Sequence, residues 1–266
     1  SVQLVCLVAP DRVFPFPGDE VQQMGASGPA LRGSQAGRRD PGSRPYARIR
    51  RGSAMPASTN DEPPDWLDPA CYCVPGGGLA QLNHPGRYSK DISWYKRLLD
   101  KYEILLSVEV YNQGDRYSGD RKFWDKLLTE TMPERPVWGT SNDDMHGRGH
   151  MGRNWQVMLL PEGALTKKNV RAALTRGCFY ACYDTSGEAE NIVIPKSVKV
   201  RNGKIVIKAD CAEERIRWIS EGEEVARGSA LALDGDVDLG SYVRAVVHGD
   251  DGARTLLQPI GLRDSR

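Results

Sequence analysis

Three short stretches carry the residue types from which a hydrolytic metal site is built: Asn83-His84-Pro85, Glu109-Val110-Tyr111-Asn112 and Ser141-Asn142-Asp143-Asp144-Met145-His146-Gly147. The chain has only four histidines, so two in such settings is an informative concentration. Asp144-x-His146 puts a hard oxygen donor and a borderline nitrogen donor on one short loop, and a spacing of two on extended backbone turns both side chains to one side. Mixed imidazole and carboxylate ligation suits zinc, manganese or iron. Such ions lower the pKa of bound water and neutralise phosphate oxygens, which permits hydrolysis near neutral pH. A ligating histidine needs a carboxylate or carbonyl on its other nitrogen, and Glu109 is the candidate for that role or for positioning substrate. Asp143 is a second candidate for it. His150 is a loop histidine kept as a candidate by its nearness to His146, and His248 reads as a surface histidine at a turn.

The elements that must hold these residues follow from periodicity. Ile104 to Val110, Val137 to Ser141 and Gln156 to Leu160 are apolar, strand-like runs, and Leu79 to Leu82 is a short buried strand after the Gly76-Gly77-Gly78 turn. Trp94 to Tyr102 is amphipathic, Lys122 to Leu128 is a second helix ending before Pro133, and Thr166 and Gly177 bracket a third as N-cap and C-terminal stop. Strand–helix alternation over residues 75–183 predicts a parallel α/β arrangement with its chemistry on loops after the strands. From residue 191 the pattern changes. Val198 to Lys208 alternates on both sides of Asn202-Gly203, which predicts a hairpin, and short strands follow at regular spacing.

Composition excludes several classes. Net charge is +1, so nucleic acid and membrane surfaces are not indicated as general partners. No apolar run approaches the roughly 18 residues of a membrane span. The six cysteines form no C-x-x-C pair and read as small buried hydrophobes. Val13 to Val21 is a strand running through Pro17-Gly18 that sets Glu20 near its end. Residues 24–70 read as irregular or disordered: arginines alternate with Gly, Ser, Pro and Ala, and too little apolar area is present to offset ordering entropy. That composition also fits an out-of-frame stretch of a GC-rich gene.

With those residues in place, the chain resembles the PHP family (polymerase and histidinol phosphatase), metal-dependent phosphoesterases on a distorted (β/α)7 barrel. The resemblance lies in Phe16-Pro17-Gly18-Asp19-Glu20-Val21, Gly78 to Pro85, Val108 to Asn112, Trp138 to His146 and Gly177 to Ala181. It implies a partial TIM-like barrel over residues 1–190 and a small antiparallel β-sandwich appended at 191–266. It implies metal-ligand roles for Glu20, His84, Asp144 and His146, with more than one divalent ion (Zn, Mn or Fe) in the complete protein, and a small phosphorylated substrate. The family's opening His-x-His has no counterpart, and residues 22–70 hold no histidine. The expectation is therefore an N-terminally incomplete chain with a partial ligand set.

Two functional expectations follow. The first is a phosphoesterase that hydrolyses a phosphate mono- or diester by metal-activated water. The alternative is a catalytically inactive remnant that serves as a binding or scaffold protein. An amidohydrolase-type barrel is a third reading, less favoured because it too calls for a His-x-His.

Overall fold

The computed structural model describes residues 79–87, 90–103, 105–160, 165–235 and 237–263. Glu20, the irregular segment 24–70, the Gly76-Gly77-Gly78 turn and Cys6, Cys71 and Cys73 lie outside the described residues. The first half of the described chain runs β1 (Ala80–Leu82), α1 (Ile92–Lys101), β2 (Leu105–Asn112), α2 (Gly119–Thr131) and β3 (Trp138–Asn142). These make two strand–helix–strand units, with β1, β2 and β3 side by side and parallel. A parallel strand covered on both faces reads as a continuous buried run, and all of β2 except Leu106 is buried. Asp91 caps α1 by accepting the Trp94 N–H at 2.9 Å. Tyr95, Leu98 and Leu99 of α1 and Trp124, Leu127 and Leu128 of α2 cover β2 through one apolar cluster.

Beyond β3 come β4 (Asn154–Met158), α3 (Lys167–Arg176) and β5 (Phe179–Tyr183). Thr166 accepts the Asn169 N–H at 3.2 Å, and Gly177 ends α3 in the left-handed region at φ 67°. The remaining strands are β6 (Ser197–Arg201), β7 (Lys204–Lys208), β8 (Ile216–Ser220), β9 (Glu223–Arg227), β10 (Ala230–Ala232), β11 (Tyr242–His248), β12 (Arg254–Leu256) and β13 (Ile260–Gly261). The hairpin at Asn202-Gly203 is present, with both turn residues at positive φ as the right-handed strand twist demands.

The expected (β/α)7 barrel is overturned. Among the described residues only β1 to β3 are parallel; the other strands form antiparallel sheets. β4 and β5, expected to continue the alternation, pair antiparallel with each other, and β5 then pairs antiparallel with β12. The large sheet runs β4-β5-β12-β11-β8-β9, with β13 on β11. A strand–helix–strand sequence serves an antiparallel return as well as a crossover, and here the partner that decides the direction comes from the far end of the chain. The sheet therefore joins strands from either side of residue 190, where the sequence suggested a division between barrel and appendage.

Alternation along β11 shows how this sheet serves two cores. Val243, Ala245 and Val247 join Val198, Ile205, Ile207 and Leu231 of the β10-β7-β6 sheet, in a cluster that includes Trp218 of β8. Tyr242, with Ala181 and Leu256, joins the cluster under α1 and α2. Arg244, on that same side, pairs with Asp125 of α2: its Nε and Nη2 donate to the two carboxylate oxygens at 2.8 and 2.7 Å, and the Tyr242 hydroxyl donates to Asp125 Oδ1 at 2.9 Å. Both charges are buried, so the pair offsets its own desolvation only because its geometry is good. The edge of the parallel sheet is closed by a side chain. The Gly139 N–H donates to Gln258 Oε1, and Gln258 Nε2 donates to the Gly139 carbonyl, each at 2.8 Å.

Candidate functional site

The three parallel strands end on one side, and the loops that leave them bring the chemistry-bearing residues together. His84 follows β1, Glu109 lies within β2 with Gln113 just past its end, and Asn142 closes β3 ahead of Asp143, Asp144 and His146. His84, Gln113 and Asp144 all sit at positive φ, 45°, 43° and 43°, a region uncommon for side-chain-bearing residues. Such residues persist where the surroundings hold them, and they concentrate at functional sites.

Glu109 is the hub. Its side chain is 1% exposed, and its carboxylate accepts the His84 backbone N–H at 2.9 Å, Asn142 Nδ2 at 2.9 Å and Asn112 Nδ2 at 3.2 Å. His84 Nδ1 lies 2.5 Å from Glu109 Oε2. That contact is short yet lacks hydrogen-bond alignment, so the nitrogen is buried without a proper donor–acceptor partner. The contact sets which side of the ring faces the carboxylate. His84 Nε2 then faces outward to Asp144 Oδ2 at 4.0 Å. Tyr117 leans on the ring at a centroid distance of 5.6 Å.

A second carboxylate stands behind the first. Asp120, in the first turn of α2, is 1% exposed and accepts the Gly86 N–H at 2.8 Å. A β-carbon at Gly86 would come within 2.5 Å of Asp120 Oδ1, so a glycine there is what admits the contact. The other oxygen of Asp120 is buried with no hydrogen-bond partner. Burial pushes the Asp120 carboxyl above its ordinary range, and the nearby Glu109 charge adds to that, against the Gly86 hydrogen bond, His84 and Arg121. The sequence reading missed Asp120, because an aspartate in a first helical turn is explained by the helix dipole alone. Gln113 was also missed. Its Nε2 reaches the Asp144 carbonyl at 3.1 Å, Asp144 Oδ2 at 3.3 Å and His146 Nδ1 at 3.2 Å.

The remaining residues divide. Asp143 is turned away from His84 and secures its own loop, accepting the N–H groups of Gly152, Arg153 and Asn154 at 2.6, 3.0 and 2.8 Å. His146 is 68% exposed, and its Nδ1 lies 2.6 Å from the Asp144 carbonyl and 3.6 Å from Asp144 Oδ1. His150 Nδ1 accepts the His146 backbone N–H at 3.2 Å, so it serves the loop. His248, at the end of β11, is half-buried, its pKa lowered by burial and then by Arg217 and Arg254.

Ligands of one ion, each about 2.1 Å from it, stand roughly 3–4 Å apart. His84 Nε2 and Asp144 Oδ2 meet that spacing, and the His146 ring is directed into its own loop instead. Among the described residues, no three His, Cys, Asp or Glu side chains form a group that could hold a metal ion. The strand ends therefore present a two-donor face, His84 and Asp144, braced by Glu109. No helix of the described residues is long and apolar enough to cross a membrane. In comparison with known proteins, no family model, curated protein or solved structure matches the chain.

Proposed function

We propose that the chain acts as a metal-dependent phosphoesterase whose metal-binding face is His84 and Asp144, with His146 as a further donor once its ring turns outward and Glu20 as the ligand contributed from outside the described residues. The supporting observation is the imidazole held against a buried carboxylate with its other nitrogen aimed at a second one. A carboxylate behind a ligating histidine fixes which way the ring is turned. A divalent ion bound there would supply Lewis-acid polarisation of a phosphoryl oxygen and activation of water.

The protein's own groups have separable tasks. Glu109 holds His84 by backbone and ring, and it ties β2 to the end of β3 through Asn142. Gln113 holds the Asp144 carbonyl and carboxylate, and Asp143 anchors the loop from the other end. The test is manganese or zinc binding by calorimetry and metal analysis, together with hydrolysis of an aryl phosphate and a bis-aryl phosphate diester before and after chelation. Stoichiometric metal that is lost in His84→Ala and Asp144→Ala, with chelator-sensitive turnover, is the expected result. Turnover that survives exhaustive chelation removes the proposal. One observation favours a binding or scaffold role without turnover: the missing three-ligand group among the described residues. A folded protein with no stoichiometric metal selects that reading.

A further inference from the structure

Next to the strand-end site lies an aromatic pair ringed by cations. Tyr183, the last residue of β5, stacks on buried Tyr111 of β2 with ring centroids 4.8 Å apart and planes 20° from parallel. Arg254 is the direct cross-strand neighbour of Tyr183, and its Nη1 reaches the Tyr111 hydroxyl at 3.4 Å. Its Nε is buried with no hydrogen-bond partner. Arg153 comes from the other side: a β-carbon at Gly114 would lie 3.8 Å from both the Arg153 Cδ and a Tyr183 ring carbon. Gly114 follows Gln113, the residue that holds Asp144, and Asp143 accepts the Arg153 backbone N–H at 3.0 Å.

The charges around Tyr183 do not balance. Burial raises the Tyr183 phenol above its ordinary range and Asp115 adds to that, against the nearby guanidinium groups of Arg254, Arg153 and Arg121. Asp115 is already engaged with Arg121, whose two η nitrogens donate to its oxygens at 2.6 and 2.9 Å while the guanidinium lies 4.3 Å above the Tyr111 ring. Arg153 and Arg254 have no carboxylate partner among the described residues. Two guanidinium groups without a carboxylate partner flank one phenol, and N–H and O–H donors of these kinds are what a tetrahedral oxyanion accepts.

We propose that Arg153, Arg254 and Tyr183 form an oxyanion subsite beside the strand ends, and that the substrate carries a second phosphate group there in addition to the one hydrolysed. The substrate statement rests on the phosphoesterase reading; the subsite itself does not. It confers specificity for a doubly phosphorylated compound, because a mono-ester leaves the two arginines without a counter-charge.

Calorimetric titration of the metal-free full chain with inorganic phosphate and with pyrophosphate tests the subsite directly. Saturable binding is expected, weakened about tenfold or more in Arg153→Met and again in Arg254→Met, as the loss of a charge-assisted hydrogen bond implies. Arg227→Met is the control, since that guanidinium sits on β9 paired with Glu224 and its loss is expected to leave affinity unchanged. Arg254→Lys, which keeps the charge, recovers part of the affinity, and Arg153, exposed just ahead of β4, supplies a variant that does not disturb the core. Absence of saturable binding below about 10 mM, or binding indifferent to both arginines, overturns the subsite. Arginine-dependent phosphate binding without metal-dependent turnover refutes the phosphoesterase reading and leaves the subsite standing. Turnover of an aryl monophosphate with arginine-independent phosphate binding does the reverse.

Discussion

Replacing Glu109 by Gln changes almost no volume and asks whether the site is held by a carboxylate or by shape. One carboxylate oxygen accepts Asn112 Nδ2 and Asn142 Nδ2; the other accepts the His84 N–H and faces His84 Nδ1. A glutamine has one acceptor oxygen and one NH2 to put in those places. With its oxygen toward the asparagines, the NH2 meets the His84 N–H, donor against donor. Turned the other way, the NH2 meets both asparagine amides. Asn112 can rotate to answer it, since its Oδ1 is buried and unpartnered. Asn142 is less free, because its Oδ1 already accepts Gln156 Nε2 at 3.2 Å. Either orientation loses at least one hydrogen bond to a charged acceptor, about 1.5–3 kcal/mol, and leaves a buried donor unmet, about 1–3 kcal/mol more. We expect Glu109→Gln to destabilise the fold by about 3 kcal/mol in equilibrium urea denaturation, with the denaturant slope unchanged, and to weaken manganese or zinc binding about 10- to 100-fold. A variant within about 0.5 kcal/mol of the parent would show that the carboxylate does not hold these strand ends together, and the account of how His84 is positioned would fail.

Other perturbations follow from the same geometry. The Asp120 carboxyl is raised by burial, so ionisation costs more in the folded than in the unfolded chain; its stabilising contribution is complete below the unfolded value of 3.8 and declines as pH rises through the folded one. The stability difference between Asp120→Asn and the parent should therefore shift in favour of the variant as pH rises above 3.8, and a shift the other way in pH-resolved denaturation refutes that assignment. Arg244→Met leaves Asp125 buried with the Tyr242 hydroxyl as its remaining side-chain donor and should cost about 3–5 kcal/mol, much of it recovered when Asp125 is replaced by Leu in the same chain. Gly177→Ala combines a left-handed φ of 67° with a β-carbon 2.7 Å from the Trp138 ring, so a melting temperature lowered by several degrees is expected, and no change would mean that Trp138 moves aside freely.

Local features were legible where local chemistry decides them. Thr166 and Gly177 bracket a helix in the sequence because a hydroxyl acceptor and a residue free to adopt positive φ have few other uses at those places, and Asn202-Gly203 announces its hairpin for a similar reason. The loops bearing His84 and Asp144 were recognisable as exits from apolar runs, and the structure sets those two residues across from each other. Strand direction was not legible. Nothing in β4 or β5 distinguishes a parallel crossover from an antiparallel return, since the choice depends on β12 pairing with Ala181, Cys182 and Tyr183. The alternation read as a barrel was thus two parallel units followed by a different architecture. Asp143 shows the matching limit within a motif. Of two adjacent aspartates, one faces His84 and the other accepts three backbone N–H groups, and only the path of residues 151–154 separates them.

The joining of β5 to β12 also bears on how the chain matures during synthesis. A ribosome delivers residues in order, and domains ordinarily fold as their segments emerge. Here Tyr242 and Leu256 complete the hydrophobic cluster beneath α1 and α2, and Arg244 neutralises Asp125 within it. Until those residues leave the exit tunnel, the helices translated long before carry an exposed apolar side and a carboxylate without its counter-ion.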